Sequence, residues 1–275
     1  MGMRVDTAGS TITQVTMGPE IGPTRHALVH DAAQVVCRAA KTLVRTHDGA
    51  VYSWGTCENL SLGHGPGITV VQRPRRIEAL AGIRVAYIAA GETACAAVSD
   101  EGDVYTWGWG GSFWQGNGGL GHGDNVSQPH PALVQWLEDA HVRVRTVSVG
   151  SGHMLAVAND GKVLSWGNGE YGRCGNGRRK QLVPEVVELL EAHPCVAVAA
   201  GFQHSLALTA AGHVYAWGKN DAGQLGQVRL HCQQRAHSGA ERTDEIFPSP
   251  QPTLTVIPPP CMMHLCPALY RAATS

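Results

Sequence analysis

Several residue groups in this chain have the types and spacing that chemistry would need. Cys232, Cys261, His264 and Cys266 could ligate zinc, but structural zinc sites pair short knuckles. Here one Cys-x4-Cys with a histidine inside it stands without a second knuckle, so the spacing speaks against a metal centre. Gly108-x-Gly110 opens no strand-to-helix unit and is not a dinucleotide loop. No Ser/His/Asp set and no paired carboxylates emerge by spacing, so neither catalysis nor a cofactor is expected. Arg73-Pro74-Arg75-Arg76 and Arg178-Arg179-Lys180 are basic enough to touch phosphate, though solvated loop charge is the simpler reading. His153 and His204 each follow a glycine by three residues. Such a histidine either meets a partner or fixes its own turn by a hydrogen bond. The loop Trp109 to Gly119 sets Trp109, Phe113 and Trp114 among glycines, a composition that suits partner contact or a fold back onto its own sheet.

The elements that must position these residues repeat. Trp-Gly recurs at Trp54-Gly55, Trp107-Gly108, Trp166-Gly167 and Trp217-Gly218. Gly91, Gly150 and Gly201 precede the last three tryptophans at one fixed distance, and Arg38 takes that place in the first unit. A turn glycine stands before each tryptophan, at Gly49, Gly102, Gly161 and Gly212, and another follows at Gly63, Gly121, Gly175 and Gly226. In the second unit the loop Trp109–Gly119 delays that last glycine, so it carries an insertion. Within a unit, apolar runs such as His153–Ala158 and Val163–Trp166 flank Asp160-Gly161, the signature of a hairpin. The alternating run Val142–Val149 adds a neighbouring strand. Three or four antiparallel strands per unit of this length fit a propeller blade, each tryptophan buried against the next blade. Residues 182–193 and 132–141 read equally well as strand or short helix.

These residues carry a family likeness. Gly201 through Gly226, with His204-Ser205-Leu206, Val214-Tyr215, Trp217-Gly218, Asn220 and Gln224-Leu225-Gly226, resembles the regulator-of-chromosome-condensation repeat. The third unit matches at Gly150, His153, Trp166, Asn168, Gly172 and Gly175. The second has Thr93 in the histidine place, and the first has Ala40 there. The resemblance spans residues 37–226. It implies an all-β fold, a β-propeller of antiparallel blades, here a partial one of about four blades or an open arc. Seven blades, as in the founding members, would need roughly 380 residues. The ring therefore closes with few blades, is completed by another chain, or belongs to a longer one, and the last is favoured. In function the resemblance implies a scaffold that binds a protein through blade-rim loops, with Glu92, Trp109, Phe113, Trp114, His153, Gln203 and His204 as contact residues. The alternative it implies is nucleotide exchange on a Ran-like small GTPase, with chromatin association. A light-sensing branch uses clustered tryptophans, whereas the four Trp-Gly tryptophans here occupy structural places.

Composition agrees with this division. The chain has 275 residues, a net charge of −1 and 34 glycines, and lacks the basic excess of a nucleic-acid or membrane-surface binder. Only one glycine and no tryptophan fall after residue 226, where proline concentrates. Residues 1–36 are expected to form an N-terminal segment, either an outer strand or disordered. Residues 227–275 are expected to be a largely disordered, dispensable tail. Its single candidate strand is Leu254–Ile257, which could pair with an open blade edge. No signal peptide or membrane span is discernible. The expected address is intracellular, cytoplasmic or nuclear, with a mitochondrial one left open, and neither a membrane nor a small-molecule substrate is expected as partner.

Overall fold

The computed structural model describes residues 2–4, 13–15, 29, 31–111, 119–226 and 255–257, with 2–4, 13–15 and 255–257 as backbone strands. The chain divides into two units, residues 1–30 and 31–275. In the first, β1 (Gly2–Arg4) pairs antiparallel with β2 (Thr13–Val15).

The second unit is four antiparallel four-stranded sheets in chain order. Blade 1 is β3 (Ala32–Arg38), β4 (Lys41–Thr46), β5 (Val51–Thr56) and β6 (Val70–Arg76). Blade 2 is β7 (Val85–Ala90), β8 (Ala94–Ser99), β9 (Val104–Gly108) and β10 (Gln128–Leu133). Blade 3 is β11 (Val144–Val149), β12 (His153–Ala158), β13 (Val163–Asn168) and β14 (Lys180–Val186). Blade 4 is β15 (Cys195–Ala200), β16 (His204–Thr209), β17 (Val214–Gly218) and β18 (Thr255–Ile257). The expected all-β, propeller-type architecture is thus present as four blades.

The predicted hairpins form where expected. Gly49, Gly102, Gly161 and Gly212 hold φ between +84° and +92°, a region in which a side chain would be strained. The two ambiguous stretches each resolve into strand followed by a short helical turn. Lys180–Val186 is a strand and Glu188–Leu190 a 3-10 turn, while Gln128–Leu133 is a strand and Gln135–Asp139 a short helix. The turns Glu78–Leu80, Gln135–Asp139 and Glu188–Leu190, each after the outer strand of its blade, bury one leucine apiece: Leu80, Leu137 and Leu190.

The core lies between blades. Leu43, Val51, Ile77 and Leu80 of blade 1 pack on Val85, Ile88, Cys95 and Trp107 of blade 2. Val104, Leu120, Val134 and Leu137 of blade 2 share a cluster with Val147, Met154 and Trp166 of blade 3. Leu155, Val163, Val187 and Leu190 of blade 3 meet Cys195, Ala207, Tyr215 and Trp217 of blade 4. One face of each blade therefore offers aliphatic groups, and the next blade answers with its tryptophan. Trp107, Trp166 and Trp217 are buried as expected, and Trp54 of blade 1 is half-buried.

Inside each of the first three blades a buried hydroxyl closes the long loop after Trp-Gly. Ser53 donates to Leu62 O at 2.6 Å, Thr106 to Leu120 O at 2.7 Å, and Ser165 to Cys174 O at 2.7 Å. A buried hydroxyl must donate somewhere, so this bond pins the loop to its sheet. Ala216 fills that position in blade 4, which lacks the bond.

Two boundaries differ from expectation. The first blade strand begins at Ala32, inside the segment set apart as N-terminal; Arg38 in place of the landmark glycine had hidden it. In the tail, Thr255–Ile257 is the fourth strand of blade 4. Val214 faces Ile257, Tyr215 faces Val256 and Ala216 faces Thr255, the register by which Leu164 faces Val186 in blade 3. Residues 227–254 and 258–275 lie outside the described residues.

Candidate functional site

In an antiparallel four-stranded blade, the first turn and the third share one end. That end, or rim, carries the turns at 91–93, 150–152 and 201–203 and the long loops after each Trp-Gly. Glu92, Trp109, His153, Gln203 and His204 all belong to it. Phe113 and Trp114 lie outside the described residues.

The rim begins from three glycines. A Cβ on Gly91 would stand 2.6 Å from Gly150 O, and one on Gly150 would stand 2.6 Å from both Gly201 O and the His153 ring. Only glycine lets consecutive blades approach this closely. The residue three places on is the first of the second strand, and strand register corrects two of its assignments. Lys41 faces Gly55, Ala94 faces Gly108, His153 faces Gly167 and His204 faces Gly218. Lys41 and Ala94 therefore hold the histidine place, rather than Ala40 and Thr93.

This place is a clasp between blades. Lys41, 3% exposed, donates from Nζ to Glu92 O of blade 2 at 2.8 Å. His153 lies 2.9 Å by Nε2 from Ser205 Oγ of blade 4. Ser205 gives its own proton to Arg173 O at 2.7 Å, so it accepts from His153, which fixes the neutral Nε2–H tautomer. Burial, then the charges of Arg173 and His204, push the His153 proton affinity down to about 3. His153 is 1% exposed, which corrects its placement among the contact residues: it faces the next blade and not solvent. His204 is half-buried, its pKa lowered by burial, and its backbone carbonyl accepts from the Gly201 amide at 2.9 Å.

The solvent side of the rim is built by other residues. Glu92 is exposed and accepts from Ser151 Oγ at 3.3 Å across the blade 2–3 boundary. Trp109 is half-buried, its amide tied to Thr93 O at 3.0 Å. Gln203 is half-buried and its carbonyl accepts from the Lys219 amide at 2.9 Å. Between blades 3 and 4, sequence reading missed four residues. Phe202 is 57% exposed at the tip of its turn, and Tyr171 is 39% exposed with φ +61°. The Tyr171 ring lies under two cations, Arg173 Cζ at 5.7 Å and Lys219 Nζ at 5.0 Å from its centroid. Arg173, 3% exposed, donates to Ser151 O at 3.1 Å and Phe202 O at 3.5 Å, so it fastens both turns. An aromatic where blades 2 and 3 have Glu92 and Ser151 was the one available sequence signal, at Phe202.

Other candidates hold no shared site. Arg178 is neutralised by Glu185 at 2.7 Å, away from Arg73, Arg75 and Arg76. Among the described residues no group of three His, Cys, Asp or Glu could hold a metal, and the cysteine-histidine set of the tail lies outside them. Burial pushes the Cys95 and Cys174 thiols up to about 12, where no reactive thiolate forms at neutral pH. No helix among the described residues is long and apolar enough to cross a membrane.

Tandem antiparallel blades keyed to one another by Trp-Gly tryptophans, the third and fourth with Gly-x-x-His turns, define a β-propeller protein of the chromosome-condensation repeat class. The chain belongs to the RCC1-like domain family, whose model matches residues 7–258. It is 43% identical over 187 residues to human E3 ubiquitin-protein ligase HERC2, covering 67% of this chain and 4% of that protein. It is 37% identical over 203 residues to the Arabidopsis thaliana ultraviolet-B receptor UVR8, covering 73% of this chain and 44% of the receptor. Among solved structures, human WBSCR16 aligns with a TM-score of 0.63 at 28% identity, over 74% of this chain and 51% of that one. Prp20p of Saccharomyces cerevisiae, described together with its binding to Gsp1p and histones, aligns at 0.61 and 25% identity, over 71% and 46%. The chain thus spans about half or less of the length of each of these proteins.

Proposed function

We propose that this chain is a non-enzymatic protein-interaction scaffold that binds a protein partner through the loops of the blade rim. The observation that carries this reading is the exposed aromatic pair Phe202 and Tyr171, held on a turn system fastened by the buried Arg173. Rigid, half-exposed aromatics beside fixed cations are the usual anchors of an interface. Glu92, Trp109 and Gln203 extend the same surface over blades 2 to 4. The test is proximity capture in cells with the wild-type chain and with a Phe202→Ser, Tyr171→Ala double variant. Loss of specific proteins with the variant supports the rim. An unchanged protein set overturns it.

A second reading is nucleotide exchange on a Ran-like small GTPase, favoured by the likeness to Prp20p, whose binding to Gsp1p is on record. An exchanger makes no bonds; it stabilises the nucleotide-free partner by differential binding. Release of labelled GDP from such a GTPase, with and without this chain, decides it. No acceleration removes the exchange reading and leaves the scaffold reading standing.

A further inference from the structure

A cleft of about 520 Å3 opens on the outer wall between blades 1 and 2, lined by Gly63, His64, Arg75, Glu78, Ala79 and His130. Its floor is a backbone bridge, since the Gly65 amide of blade 1 donates to Pro129 O of blade 2 at 3.1 Å. His130 packs on that bridge, 3.1 Å from where a Cβ of Gly65 would stand. His64 is half-buried and fixed by Nε2 to Ser53 Oγ at 2.8 Å. Arg75 pairs across the strands with that same Ser53. It is exposed and forms no ion pair among the described residues.

The repeat supplies its own control. Between blades 2 and 3 the same bridge runs from the Gly123 amide to Leu182 O at 2.9 Å, but Val183 packs beside it where His130 stands in the first cleft. Ala132 takes the place of Arg75 in blade 2, and in blade 3 Glu185 takes it, already paired with Arg178. His122 does keep the place of His64, its Nε2 2.9 Å from Thr106 Oγ1. The imidazole on the hydroxyl therefore belongs to the repeat, and what is particular to the first boundary is the addition of Arg75 and His130.

We propose that this cleft binds an oxyanion, a phosphate or carboxylate group on a protein partner, with Arg75 as the permanent charge and His64 and His130 as supplementary donors. Guanidinium beside imidazole is a common oxyanion receptor, and Glu78 is the one lining group that opposes it. Burial lowers the proton affinity of His64 most, its hydrogen bond to Ser53 raises it, the charges of Arg75 and His130 depress it, and Glu78 raises it. A carboxylate in the cleft is accordingly held more tightly once His64 takes up a proton. His64 comes from the long loop that leaves the rim of blade 1, but the cleft shares no residue with the contact surface of Phe202, Tyr171 and Arg173, so it does not depend on the rim reading.

The test follows the His64 and His130 ring signals by NMR in the full chain. Inorganic phosphate and acetate are titrated separately at pH 7.5 and pH 5.5, in constant sodium chloride. Saturable shifts of both rings are expected, at least several-fold tighter at the lower pH for acetate, which stays ionised, and less pH-dependent for phosphate, which itself takes up a proton over this range. Arg75→Gln, a surface change, should weaken binding about tenfold, and Glu78→Gln should tighten it. Response to phosphate alone assigns a phosphorylated ligand, and response to acetate alone a carboxylate. The proposal is overturned if neither anion moves the rings, or if the shifts survive Arg75→Gln unchanged.

Discussion

Trp107 and Trp217 each donate their indole N–H to a carbonyl of the preceding blade, to Ser61 O at 3.0 Å and Arg173 O at 2.8 Å. Trp166 has the same burial, but its Nε1 has no hydrogen-bond partner among the described residues. The three tryptophans should therefore part company on substitution. Trp166→Ala should cost about 3–5 kcal/mol through lost packing. Changing Trp107 or Trp217 to Phe should cost about 1 kcal/mol more than Trp166→Phe, because only they strand a buried carbonyl. Chemical denaturation of the three Phe variants reads this directly, and equal losses would contradict it. His153 supplies a pH signature. Its folded pKa lies below its unfolded value, so the unfolded chain takes up the proton first. Its contribution is complete above about pH 6.5 and erodes as pH falls toward about 3. Lowering pH from 7 to 5 should remove about 2 kcal/mol, and His153→Gln should flatten that part of the curve. Burial lowers His64, His122 and His204 in the same direction, so the variant isolates one share of the slope. At this scale the sequence was half legible. Tryptophan places were visible because packing demands one bulky group at one spacing. The clasp was not, because a lysine, an alanine and two histidines fill a single position.

Among the elements, hairpins were the legible ones, since Asp-Gly and Glu-Gly turns are local and need no tertiary context. The outermost strand was not. Across blades it reads Val70–Arg76, Gln128–Leu133, Lys180–Val186 and Thr255–Ile257, sharing little beyond one aliphatic end, with proline inside the first three and none in the last. Its partner edge, not its own composition, decides that it is a strand. In blade 4 it also arrives late, after a long stretch that obscures the repeat. The prolines that argued for a tail lie outside the three paired residues, so they remove no donor from the ladder. Val256→Pro should then release the edge of β17 and speed exchange of its β18-facing amides about tenfold, leaving β12 and β13 protected. Uniform protection in the variant would show that β18 does not hold that edge. Deleting everything after Gly226 should lower the melting temperature, contrary to a dispensable tail.

Among the described residues the second unit is a row of blades whose shared cores each join one blade to the next, as in other repeat proteins. That it is a row was written in the sequence by the fourfold spacing. Where it presents a binding surface was not, because the rim assembles Tyr171, Phe202 and Lys219 from loops far apart in the chain. The contacts along Gly91, Gly150 and Gly201 set how closely the blades can stand. Gly150→Ala would drive a methyl into Gly201 O and the His153 ring at once. A loss of about 2 kcal/mol or more is expected in denaturation. Gly172→Ala, with open space around it, should cost less through backbone strain alone.

Every clasp in this row runs forward: Lys41 reaches into blade 2, His153 into blade 4, and the aliphatic face of each blade receives the tryptophan of the one after it. The two faces of a blade are thus plug and socket, never two of a kind. A gene encoding such a row can gain or lose length in whole units. A duplication cut at equivalent landmarks, such as Gly91 and Gly150, sets a plug against a socket at both new joints. A cut placed anywhere else would not. The joint, rather than the blade, is what selection must keep intact, and blade number is free to drift so long as the direction is preserved.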